Sequence, residues 1–166
     1  HFESKDAFLQ QVLQGIYEEL FSRLSAPAHR PGAPLVRLRG TLTIIARFLR
    51  DHAPLMRRVL GDAQAGHAVA TEFLQRNLPR HVEVVVALLA EAEQAGALGP
   101  QPPLLRATFL FGAVLGPMLA GALLRDAGLL PAMALPLVQP QVLSDTAIDE
   151  RITLALVALT SGVSHG

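Results

Sequence analysis

Residues 107–124 read ATFLFGAVLGPMLAGALL, a run without a charge held between Arg106 and Arg125. Its length makes it a marginal candidate for a membrane span, and Gly112 and Gly116 have the spacing that lets such helices approach closely. Pro117, three glycines and the lack of an aromatic belt speak for a soluble helix instead. The plain soluble reading is the core helix of one subunit. Residues 152–159, ITLALVAL, are also apolar nearly all round, however, and a domain of this size has difficulty surrounding two such helices. Leaving about eight Leu, Val and Ile side chains wet would forgo roughly 12 to 24 kcal/mol of burial, more than the whole stability of a typical domain. Two copies of the helix pair packed as a four-helix bundle resolve the conflict. The expected contacts are Phe111, Val114, Leu115, Met118, Ala122, Ile152, Ala155, Leu156 and Leu159, with Gly112, Gly116 and Gly121 allowing close backbone approach.

The remaining sequence reads as helices. From Ser4 to about Leu24 apolar residues recur at three- and four-residue steps, with Ser4 suited to the N-cap and Asp6 to the first turn. Residues 25–33, SAPAHRPGA, predict a connection. Pro34 opens a second helix running to about Asp51, and Pro54 to Leu60 forms a short third one stopped by Gly61. A fourth extends from near Gln64 to Gln94, where Gly96 ends it, and Pro79 predicts a kink around Asn77 and Leu78. Pro102 and Pro103 open a fifth that reaches Arg125. Gly128 to Ser144 is expected as a proline-punctuated connection before a last helix, capped by Asp145, that runs to about Thr160. No strand pattern survives.

The 166 residues suit one domain, and 14 basic against 14 acidic residues leave no positive excess for holding nucleic acid. Hydrophobic residues make up 51% and aromatic ones 5%, the balance of helices packed through Leu, Ala and Val. Without cysteine there is neither a disulfide framework nor a thiolate metal site. His29, His52, His67, His81 and His165 lack metal-ligand spacing, so neither a metal nor another cofactor is expected. No phosphate-binding glycine loop, GxSxG or cysteine nucleophile marks an enzyme. No secretion signal is visible, and the cytoplasm is the default expectation. Arg37, Arg39, Arg57, Arg58, Glu91 and Glu93 read as solvated faces.

Two short stretches carry a resemblance. The opening HFESKDAFL, residues 1–9, resembles the junction at which the DNA-binding domain of TetR-family transcriptional regulators runs into a long connecting helix. Residues 91–98, EAEQAGAL, are similar to the phrase that closes the fourth helix in that family, and the rest agrees in layout only. The resemblance implies an all-α, TetR-type C-terminal regulatory domain of about six helices, dimerising through a four-helix bundle. Residues 1–3 would be the remnant of the DNA-binding domain and residues 4–166 the effector-binding and dimerisation domain. His1 and Lys5 match positions that touch DNA phosphates, and a helix-turn-helix preceding them would read operator DNA. A ligand-responsive repressor, not an enzyme, is implied. Its apolar small-molecule effector would lie among the first five helices, against Tyr17, Ile45, Phe48, Met56, Phe73, Asn77, His81 and Phe109. The competing function is a helical oligomerisation module with no such ligand. A cavity of at least roughly 300 Å³ separates the two, since that is the lower range for ligand sites.

Overall fold

Ser4 opens the first helix as its sequence predicts, its hydroxyl accepting the backbone N–H of Ala7 at 3.1 Å. A computed structural model describes residues 4–161, so His1 and the remnant 1–3 lie outside the described residues. The helix, α1 (Lys5–His29), does not stop at Leu24; it continues through Pro27, and the expected connection shrinks to residues 30–33. Close packing on the next helix favours the extension. A Cβ at Gly40 would come within 3.1 Å of Pro27 Cβ, so glycine there lets α1 lie tight against α2 (Pro34–Asp51).

The third helix, α3 (Ala53–Gln64), runs through Gly61 and ends instead at Gly66, whose φ of +81° suits glycine. Beyond it, α4 (Ala68–Gln94) is one continuous helix despite Pro79, and closes at Gly96 with φ +76°. The uncharged run forms α5 (Pro103–Asp126), long and apolar enough by length and composition to cross a membrane. Within it, residues Phe111–Leu115 make a π turn, in which the Gly116 N–H bonds the Phe111 carbonyl five residues back. Pro117 supplies a cause: it has no N–H for the Ala113 carbonyl and its ring crowds that turn, so the ladder widens just ahead of it.

Residues 135–143, expected as part of a connection, form a helix, α6, whose second half is again of π type. Pro136 sits in its first turn, where a missing N–H costs nothing. The last helix, α7 (Asp145–Thr160), starts from Ser144 rather than Asp145, the serine hydroxyl accepting the Ala147 N–H at 3.1 Å.

The core centres on α2 and α4, with α1 on one side and the middle of α5 and α7 on the other. Leu24, Leu38, Leu42, Leu110, Met118 and Ile152 are fully buried. Three arginines read as solvated instead tie helices together: Arg37 pairs with Glu91, Arg39 with Asp149 at 3.1 Å and Arg57 with Asp126 at 2.6 Å. Glu93, also read as solvated, pairs with buried Arg106 at 2.9 Å.

The expected dimer contacts need correction. Val114, Leu115, Met118, Ala122, Ile152, Ala155 and Leu156 are all buried within their own chain, and Phe111 and Leu159 are half-buried. The chain surrounds more of the two apolar helices than its length suggested, because α2 lies against α7 and because α6, unforeseen, covers part of α5. Gly121 serves that contact: a Cβ there would stand 3.4 Å from Val142 of α6. What stays uncovered is the opposite side of both helices. Leu105, Phe109 and Leu123 on α5 and Leu154 and Val157 on α7 are exposed, Leu154 at 71% and Val157 at 59%.

Candidate ligand-binding site

Amphipathic α1 and α4 turn their apolar sides inward. Between them, α2, α3 and the pocket side of α5 lies a cavity of about 510 Å³. Tyr17, Ile45, Phe48, Met56, Phe73, Asn77 and His81 line it together. Phe109 does not. It lies on the outer face of α5, 42% exposed, while its near neighbours Thr108 and Phe111 reach the cavity. Lys5 is exposed at the start of α1 and does not line the cavity, whose first lining residue on that helix is Leu13. Most of the wall is aliphatic, including Leu13, Ile16, Leu55, Val59, Leu115 and Leu119, none of which was expected in the cavity; Leu115 was expected in the dimer seam.

The polar part of the wall is a small network joining α1 to α4. The Tyr17 hydroxyl donates to the Asn77 carbonyl at 2.7 Å and stands 3.1 Å from His81 Nδ1. Asn77 is buried, and its amide donates to the Phe73 carbonyl at 2.9 Å and to Gln14 Oε1 at 2.8 Å. In return Gln14 Nε2 donates to Asn77 Oδ1 at 3.1 Å and to Glu18 at 2.6 Å. Gln14 was missed, although a polar residue between Leu13 and Ile16 on an inward-facing stripe is the signal that could have marked it. Where a kink was expected, the Asn77 side chain makes a stitch, tied to its own helix through the Phe73 carbonyl and to α1 through Gln14.

Arg80 closes the outer edge of the network. It donates to Glu18 at 2.6 Å, and its guanidinium sits 4.0 Å from the centroid of the Phe21 ring and 5.3 Å from that of Tyr17. This hydrogen bond holds the Glu18 carboxyl below its ordinary range. Burial sets the protonation of the inner pair. It pushes the Tyr17 hydroxyl up to about 12 and His81 down to about 4, so at neutral pH both are uncharged. The His81 ring also meets Phe111 edge to face, at 6.3 Å between centroids, which links the network to the π turn of α5.

A second depression lies on the outside, between α5 and α6. It is an open groove of about 690 Å³ floored by small residues, among them Gly112, Gly116, Ala120 and Gly121. No family model matches the chain, and neither does any curated protein or solved structure.

Proposed function

We propose that this chain is the effector-binding and dimerising part of a ligand-responsive transcriptional repressor of the TetR type. The observation that carries the reading is the cavity. At about 510 Å³ it falls within the range of small-molecule sites. A protein that only holds a partner through its surface gains nothing from an apolar-lined cavity of that size, because the apolar side chains lining it forgo burial. The wall is apolar, which suits an apolar effector.

Dimerisation is supported by the outer faces of α5 and α7. Two helices that touch at the π turn each leave large aliphatic or aromatic side chains in water, and a second copy related by a twofold axis would cover the same face on both. Operator DNA would be met through a helix-turn-helix joined ahead of α1, with Lys5 near the phosphates. The effector would act by binding one of two arrangements of the dimer better than the other, and a coupling of about 1 to 3 kcal/mol is ordinary for such switches.

The test uses Nile red, a neutral dye without a hydrogen-bond donor. Saturable binding of one dye per chain, abolished by the cavity-filling substitution Val82→Trp, is the expected result. Absence of saturable binding to a folded chain would favour the helical oligomerisation module instead.

A further inference from the structure

The polar atoms of the cavity wall can be accounted for one by one, and the balance that remains describes a ligand. Tyr17 has a single hydroxyl hydrogen. A carbonyl only accepts, so that hydrogen goes to Asn77 at 2.7 Å. Towards His81 the phenolic oxygen is therefore an acceptor, and Nδ1, 3.1 Å away, carries the proton. In a neutral imidazole this leaves Nε2 as a bare acceptor, and no hydrogen bond to Nε2 is formed among the described residues.

None of the other polar groups has a hydrogen to spare, and the exposed Thr108 hydroxyl keeps acceptor capacity alone. Both amide hydrogens of Asn77 are donated, and its side-chain oxygen accepts from Gln14 and, at 3.4 Å, from Arg80. The Thr108 hydroxyl donates back to the Leu104 carbonyl at 2.9 Å. No Asp, Glu, Lys or Arg lines the cavity among the described residues. Nothing in the wall can therefore neutralise a buried charge, which would cost several kcal/mol. Nor is a side-chain donor free to meet a carbonyl or ether oxygen.

We infer that the cavity takes an uncharged, largely hydrocarbon molecule that presents one hydroxyl or N–H to His81 Nε2, of which an alkylphenol or long-chain alcohol is the simplest form. This rests on the ligand-sensing reading of the cavity and goes beyond it by fixing charge and hydrogen-bond polarity. Arg80, whose guanidinium stacks on Tyr17 and Phe21, is held by Glu18 and does not line the cavity.

The experiment compares 4-octylphenol, its methyl ether and 4-octylbenzoate by calorimetric titration at pH 7.5. The phenol should bind about tenfold tighter than the ether, as one neutral hydrogen bond allows, and the benzoate should bind far more weakly than either. In His81→Phe the advantage of phenol over ether should vanish while the ether still binds. Nitrogen-15 NMR of the unmodified protein gives a measurement that does not depend on the variant folding: His81 should show the Nδ1–H tautomer, and phenol should shift Nε2 while the ether should not. Equal affinity for phenol and ether, an unmoved Nε2 resonance, or preference for the benzoate would overturn the inference while leaving the cavity as a ligand site. Failure of all three probes together with Nile red would remove the ligand-sensing reading itself.

Discussion

Acidification offers a direct test of the neutral His81 on which the cavity's chemistry depends. Burial lowers its pKa from 6.5 to about 4, so between those values the unfolded chain binds a proton that the folded chain refuses. The associated stability is fully present above the unfolded value and is lost as pH falls towards the folded one. With the proton-binding polynomial for one site, the loss amounts to roughly 2 kcal/mol at pH 5 relative to pH 7, and tends to about 3 kcal/mol at lower pH. The groups facing the ring do not offset this. They are the Tyr17 hydroxyl, the Asn77 backbone and the Phe111 ring, and the carboxylate of Glu18 is engaged by Arg80. The assay is urea unfolding followed by circular dichroism at pH 7 and pH 5, for the unmodified chain and for His81→Phe. Glu18 and Asp145, whose carboxyls are held low by hydrogen bonds from Arg80 and Arg50, contribute equally to both proteins and cancel in the comparison. The unmodified chain should lose about 2 kcal/mol more than the variant. Equal losses would show that His81 is not held neutral by burial, and the tautomer argument would go with it.

Other substitutions separate the inner from the outer faces of the apolar helices. Leu154→Glu combined with Val157→Glu places charges on exposed positions of α7 and should give a folded monomer by size-exclusion chromatography with light scattering; a persistent dimer would move the interface elsewhere. Ile152→Ala, two residues away and fully buried, should instead lower stability by about 2 to 5 kcal/mol in denaturant titration, whatever the oligomeric state. Asn77→Ala strips the stitch between α1 and α4 and leaves Gln14 bonded to Glu18 alone, so a loss of about 1 to 3 kcal/mol is expected, together with faster amide exchange at the N-terminal half of α1. Ser144→Ala should cost about 1 kcal/mol through the lost cap of α7, measured as a drop in Tm.

The helix starts were the legible part of the fold because caps act locally. Ser4 and Pro34 sit where their side-chain chemistry places them, and Gly96 takes the positive φ that ends α4. Helix ends and proline-rich stretches were misjudged where tertiary contact outweighs local propensity. Pro27 stays helical because α2 packs on it through Gly40, and Pro136 and Pro140 punctuate a helix they were expected to prevent. The cavity wall followed from amphipathic α1 and α4, whose polar sides reveal the apolar ones. Along 107–124 and 152–159 there is no charged side to orient the helix, so the sequence marked these stretches as apolar without saying which side faces inward. Phe109 was placed inside and Val114 outside for that single reason. Of the polar network, Tyr17, Asn77 and His81 were legible as lining residues; Gln14 lies some sixty residues from Asn77, and pairing across such a distance leaves no trace in a periodicity.

The π turn gives α5 a mechanical property that a regular helix of the same length would lack. Phe111 and Leu115, its two ends, both touch the cavity, while Gly112 between them faces the outer groove. A ladder that already carries one residue of slack lengthens or tightens by a local change of register without snapping neighbouring bonds. The turn thus stands between the cavity and the outer groove, just ahead of the half of the helix on which Leu123 is exposed.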